Sequence, residues 1–355
     1  MSTTDNLIEA RRQIEICNAC RYCEGFCSVF PAMTRNRTFA LADMTQLANL
    51  CHNCQGCYNA CQYTAPHEFK INLPAVLADV RTESWERFAT PSRFARVVQK
   101  HGMLTLLVLL LGLTAALLAS ANVSGAANFY GYFSHNVMVA LFAPLFLGAL
   151  SVVAISVRRY WREVQGKSVR WSELMTAVRS AATMRNLSGG QGQGCQYEDG
   201  DRYSHRRRWA HQAVMYGFLL CFASTSVATL MHYVMAWPAP YPWYSPPKLL
   251  GIPGGVLLSG GCVALMWLKA QSDANLGSVS RWGGDWAFIG ALLLTGASGL
   301  ALFAATSSAY VRPVLALHLA AVATLFVLLP YSKMVHGFYR MAALVREAQT
   351  ASGRG

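Results

Sequence analysis

From residue 103 onward the chain alternates long apolar runs with short charged links, whereas its first hundred residues are polar and cysteine-rich. A helix needs about 20 consecutive apolar residues to cross a bilayer. Six runs qualify: 103–121, 137–157, 213–237, 249–268, 286–306 and 314–331. The fourth carries Gly251, Gly254, Gly255, Gly260 and Gly261 together with Pro253. Glycines of this kind let membrane helices approach closely, so this run counts as a span. Ahead of the first span, Phe39, Leu41, Ala42, Met44, Leu47, Ala48 and Leu50 recur near the helical period, and so do Ile71, Leu73, Val76, Leu77 and Val80. The pattern predicts a mostly α chain. A helical head over 1–101 is followed by a six-span membrane domain over 102–340, interrupted by a link at 158–208, and by a tail at 341–355.

Charge gives the spans a direction. Only 13% of the 355 residues are charged, about half the usual share of a soluble protein. Of the 30 Lys and Arg, 11 precede the first span and another 11 lie in the link 158–208, including Arg158, Arg159, Arg162 and the triplet at 206–208. The links at 122–136, 237–248 and 307–313 carry only Lys248 and Arg312. Positive charge stays inside, which predicts a bacterial inner-membrane protein with both termini and the 158–208 link in the cytoplasm. The +13 net charge is then a matter of topology, and a nucleic-acid partner is not expected. Residues 1–16 hold Asp5, Glu9 and Glu15 and no apolar core, so no signal peptide is expected there.

The chemistry begins with eight cysteines. Cys17, Cys20, Cys23 and Cys27 stand as C-x2-C-x2-C-x3-C, and Cys51, Cys54, Cys57 and Cys61 repeat the spacing. This is the run of a two-cluster [4Fe-4S] ferredoxin, in which the fourth cysteine of each motif serves the other cluster. The expected sets are Cys17, Cys20, Cys23 and Cys61 on one cluster, and Cys51, Cys54, Cys57 and Cys27 on the other. Zinc would favour separate C-x2-C pairs, and disulfides do not persist among cytoplasmic thiols. Neither Pro31 nor Pro66 directly follows the last cysteine of its motif. Together with the helical periodicity, that favours the helical ferredoxin type of succinate-dehydrogenase and heterodisulfide-reductase iron–sulfur subunits over a βαββαβ module. His52 and His67, which flank the second motif, are expected to pack and hydrogen-bond. Cys221 and Cys262 are expected to pack within spans, and Cys195, in a glycine-rich link, to be an exposed thiol.

Polar residues at membrane depth are functional candidates. The third span carries His211 and His232, and the sixth is expected to carry His318 and His336. On antiparallel spans His211 and His336 share the cytoplasmic side and His232 and His318 the other, as two bis-imidazole haem b sites would require. His318 and His336 are 18 residues apart, five full turns of a continuous helix, so they are expected to point the same way. His211 and His336 form the favoured pair, and His135 could replace His232 in the second. One haem is expected, with room for two.

Two family resemblances follow from these residues. The stretch from His318 through Pro330-Tyr331-Ser332-Lys333-Met334-Val335 to His336 resembles the last helix of the respiratory nitrate reductase gamma subunit, a membrane cytochrome b. The double cysteine head, the six spans, and Arg206-Arg207-Arg208-Trp209-Ala210-His211 leading into 215–221 resemble the tricarballylate/citrate utilisation protein B family. The resemblance implies an electron carrier that re-oxidises the FADH2 of a partner dehydrogenase acting on tricarballylate. Nothing in the chain reads as a nucleotide loop, so the flavin belongs to a partner FAD-dependent dehydrogenase. The expected acceptor is membrane quinone, and Lys333 could meet a haem propionate or a quinone oxygen. The competing readings are a quinol-oxidising subunit that feeds a cytosolic reductase, and a membrane protein aiding citrate transport.

Overall fold

The computed structural model describes residues 3–27, 29–121, 129–189, 192, 194–197, 202–237, 239–272, 282–306 and 308–353. It is almost entirely helical. Among the described residues the strands are one short antiparallel pair, Cys195–Tyr197 against Arg202–Ser204.

The head is built on three helices, α1 (Thr3–Cys20), α3 (Leu41–Leu50) and α5 (Leu73–Phe88), with one-turn helices α2 (Phe30–Met33) and α4 (Gly56–Asn59) between them. The helical type of ferredoxin module is therefore the one observed. Its starts and stops are local. Asp43 accepts the Ala40 N–H at 2.9 Å to begin α3. Asn72 caps α5 by accepting from Ala75 N–H at 3.2 Å, with Pro74 in the first turn where no N–H is needed. Ile14, Phe30, Met33, Met44, Leu47 and Leu77 are fully buried at the centre of the head.

Among the described residues six helices are long and apolar enough to cross a membrane. They are α7 (Gly102–Ser120), α9 (His135–Glu163), α11 (Arg206–Val234), α12 (Pro246–Ala270), α13 (Trp282–Ala304) and α14 (Val311–Leu328). The glycine-rich fourth run is a continuous helix, and Gly251, Gly254 and Gly261 face α11. A Cβ on Gly261 would stand 2.8 Å from the Val214 nitrogen, and one on Gly217 would stand 2.4 Å from the Leu258 nitrogen. Backbones this close exclude any side chain between them, and the contact fixes the stretch of α11 that begins at Ala210 and His211.

The sixth span differs from expectation. Helix α14 stops at Leu328, a turn carries Pro330, a short 3-10 segment covers Lys333–Val335, and α15 (His336–Ala351) starts afresh. Proline lacks the N–H that would continue the ladder and clashes with the preceding turn. Ser332 then caps the new start by accepting from Met334 N–H at 3.3 Å. His318 and His336 thus lie on different helices, and the five-turn phase argument does not apply to them.

Helix α15 runs through most of the segment read as a tail. Tyr339, Ala343 and Val345 are buried in the same apolar cluster as the head. The Tyr339 ring stacks on Phe88 of α5 at 6.1 Å and meets Tyr160 of α9 edge-on at 5.4 Å. Gln46 of α3 donates to the Ala343 carbonyl at 2.9 Å. Helix α10 (Trp171–Thr183), in the link, packs along the other side, where buried Gln349 donates to Glu173 at 3.2 Å. The head, the far end of α9, α10 and α15 are one packed unit, so the helix that opens with His336 is rooted among the cysteines.

Candidate functional site: eight thiols beside a histidine pair

The cysteines gather in two interlocked groups. Cys17 lies within electrostatic reach of Cys20, Cys23, Cys27 and Cys61. Cys57 shares a side-chain hydrogen bond with Cys27 and feels Cys54 and Cys51. The fourth cysteine of each motif therefore sits by the other motif, as the spacing leads one to expect. Burial pushes the Cys17 and Cys23 thiols up to about 12, and repulsion from their thiolate neighbours adds to it. Hydrogen bonding to Cys27, then burial, raises Cys57 as well. Buried thiolates packed this densely repel one another until a cationic core neutralises them, which is the chemistry an iron–sulfur cluster supplies. Among the described residues no three His, Cys, Asp or Glu side chains converge on a point that one ion could fill. A cubane does not ask for that, because each thiolate binds a different iron. The donor set fits two clusters.

The loop around the second motif is strained locally. Asn53 and Gln55 take left-handed backbone angles, φ 52° and 66°. Their turn lets the Asn53 N–H point at the Cys51 sulfur at 3.4 Å, and the Tyr63 N–H meets the Cys61 sulfur at the same distance. Such N–H···S contacts stabilise thiolate charge. His52 projects Nδ1 to the Leu50 carbonyl at 2.7 Å, and burial holds it neutral, well below its ordinary pKa. His67 accepts from the Phe69 N–H at 3.1 Å and packs edge-on to Tyr63. Both histidines have the packing role expected of them.

Across from this loop, His211 and His336 meet edge to face with ring centres 5.9 Å apart. Two imidazoles bound to one iron through nitrogens about 2 Å away place their ring centres about 6 Å apart. The Lys333 carbonyl accepts the Nδ1–H of His336, which fixes the tautomer and leaves Nε2 with its lone pair. Among the described residues the buried Nδ1 of His211 has no hydrogen-bond partner. Burial, then His211 and Arg340, holds His336 well below its ordinary pKa, in the neutral form a metal needs. The donor atoms of this pair fit one bis-histidine haem.

The outer histidines do not repeat the arrangement. His232 stacks on His135, nearly parallel at 23° with ring centres only 4.1 Å apart, and His135 Nε2 contacts the Tyr233 hydroxyl at 2.8 Å. His318 packs on α13, its Nδ1 3.0 Å from the Ser298 hydroxyl. The structure thus brings His232 to His135, not to His318. Parallel rings at van der Waals contact leave no gap for a metal, so these residues do not fit a second haem.

Lys333 is likewise engaged elsewhere. It and Lys269 share Asp285, at 2.8 and 2.9 Å. Its partner in the structure is an acidic residue of α13. The signal was Asp285 itself, an acidic residue opening an apolar span. The side chain of Cys195 lies outside the described residues.

The partners that sequence reasoning missed are arginines. Arg81 and Arg340 both donate to the Cys51 carbonyl at 2.6 Å, and Arg207 donates to the Asn53 carbonyl at 2.6 Å. Arg207 and Arg340 stand one helical turn from His211 and His336, a spacing that places each pair on one helix face.

A helical ferredoxin-like head on six membrane-capable helices defines a class of multi-pass membrane protein built around an iron–sulfur module. Comparison with known proteins names it more closely. Residues 10–86 match the family model "Citrate utilization protein B Fer4-like domain", and residues 89–355 match "Citrate utilization protein B". The chain is 41% identical over 352 residues to citrate utilization protein B of Escherichia coli, covering 97% of this chain and 93% of that protein. The chain belongs to the citrate utilization protein B family. No solved structure matches it.

Proposed function

We propose that this chain is a membrane electron-transfer protein supporting citrate or tricarballylate utilisation. It re-oxidises the FADH2 of a partner tricarboxylate dehydrogenase and delivers the electrons to the quinone pool. Two [4Fe-4S] clusters on the eight cysteines and one haem b between His211 and His336 would supply one-electron chemistry at the end of a two-electron oxidation. The observation that carries this reading is the docking of the Cys51–Cys54 loop onto α11 and α15, the helices that carry His211 and His336. A transporter has no use for that arrangement.

The residues of the chain have separable tasks. The thiolate sets hold charge in a buried head, and the Asn53 and Tyr63 amides stabilise it. Lys333 orients His336 through its carbonyl, while its ammonium is held away by Asp285. Helix α12 fixes His211 through the glycine contacts on α11. Head and link are proposed to face the cytoplasm, by the positive-inside distribution of Lys and Arg. The flavoprotein docks on this basic side, so the association weakens with salt.

The test is the cofactor content of the purified full-length protein. The reading requires about eight non-haem irons with matching sulfide per chain, and a pyridine haemochrome of b type. Two zinc ions per chain with no sulfide would contradict it.

A further inference from the structure

Two arginines join the histidine pair to one cysteine motif. Arg340 lies on α15 one turn after His336, and its Nη2 donates to the Cys51 carbonyl at 2.6 Å. Arg207 lies on α11 one turn before His211, and its Nη1 donates to the Asn53 carbonyl at 2.6 Å. Each helix that presents a histidine therefore also grips the same three-residue stretch. Arg81 adds a third guanidinium from α5, shared between the Cys51 and Ala48 carbonyls at 2.6 and 3.2 Å. His52, inside the gripped stretch, lies within electrostatic reach of both Arg340 and His211. On the other side of the loop, Cys54 packs with Met184, Leu187 and Met215 of the link and α11.

The first motif reaches the surface at its second cysteine. Cys20 and Arg21 are exposed, and the Tyr22 ring beside them is 62% exposed. The two motifs differ in charge environment as well. Three cations converge on the backbone of the second, and their field favours an added electron there.

We propose that Arg207 and Arg340 are positioning residues that dock the second cysteine loop on the histidine pair. Cys51, Cys54, Cys57 and Cys27 then form the inner relay, and Cys17, Cys20, Cys23 and Cys61 form the outer one, which faces the electron-donating flavoprotein. The inference rests on the reading that the thiolates hold clusters and the histidines a haem. It adds their order and assigns a task to two residues that touch neither group. Arg340 and Arg207 raise the midpoint potentials of the inner cluster and of the haem together, which directs single electrons inward from the exposed loop at Cys20.

The test is a potentiometric titration of the full-length protein in detergent, with the haem followed optically and the clusters by low-temperature EPR. Cys20→Ser and Cys54→Ser identify which EPR signal belongs to which cysteine set. Arg340→Gln is expected to lower the midpoints of the haem and of the Cys54-dependent signal and to leave the Cys20-dependent signal in place. Arg340→Lys, which keeps the charge, is expected to restore both midpoints, and Arg207→Gln to act in the same direction as Arg340→Gln. A shift confined to the Cys20-dependent signal, or no shift of either, would overturn the inference alone. A wild-type protein with no cluster or haem signal would overturn the functional reading and this inference with it. If a cysteine variant loses both clusters, hydrogen exchange in Arg340→Gln decides. Faster exchange of the 52–56 amides, with that of 20–26 unchanged, supports the docking, and unchanged exchange of 52–56 overturns it.

Discussion

His211 on α11 and His336 at the first residue of α15 stand edge to face with ring centres 5.9 Å apart, one turn from arginines that hold the same cysteine loop. The pair is assembled from helices that belong to different parts of the molecule. α11 is locked into the membrane bundle by α12, and α15 is rooted in the head through Tyr339. Head and bundle are joined at this junction by the two arginines.

The histidines should separate by role. His211→Ala and His336→Ala are each expected to remove the same haem from membranes, measured as pyridine haemochrome. His232→Ala and His318→Ala are expected to leave it in place, since His232 stacks on His135 and His318 bonds Ser298. Haem content that survives both His211→Ala and His336→Ala would show the ligands to be elsewhere.

Close helix packing should be measurable at one glycine. A methyl on Gly217 would stand 2.4 Å from the Leu258 nitrogen, and backbone has no rotamer with which to yield. Gly217→Ala is expected to cost about 1–3 kcal/mol through forced separation of α11 and α12. It should lower the thermal midpoint in detergent and loosen haem binding, because His211 sits on the same packed stretch. Gly260→Ala, whose Cβ would meet open space, serves as the control and should be near neutral.

Asp285 should matter more than either lysine it binds. Asp285→Asn removes from Lys269 and Lys333 the carboxylate that both of them pair with. Lys333→Gln leaves the Lys269–Asp285 pair intact. Thermal unfolding should therefore show the larger loss for Asp285→Asn, and a larger loss for Lys333→Gln would mean that the lysine has a second partner.

Much of this architecture was readable from residues alone, for identifiable reasons. Cysteine spacing constrains which thiols can meet, so the interlocked groups could be written down before any helix was placed. Long apolar runs likewise located the six membrane-capable helices, and the glycines of the fourth run pointed to its close packing. The failures lie where one residue competes with a pattern. Pro330 breaks the periodicity that would align His318 with His336. Lys333 pairs with Asp285, which is distant in sequence and acidic within an apolar run. His232 meets His135 because helix tilt and depth, which the order of residues does not specify, decide which outer histidines meet. Arg207 and Arg340 read as basic residues at helix ends, and that reading hid their hydrogen bonds to the cysteine loop.

Electrons from a cytosolic flavin are proposed to reach the membrane through the cysteine head. Anaerobic stopped flow tests it most directly. Substrate-reduced partner flavoprotein is mixed with this protein in membranes while flavin and haem bands are followed together. The account predicts flavin re-oxidation in step with haem reduction, haem re-oxidation when a quinone analogue is added, and loss of both in Cys54→Ser. Flavin that re-oxidises just as fast with Cys54→Ser protein would contradict it.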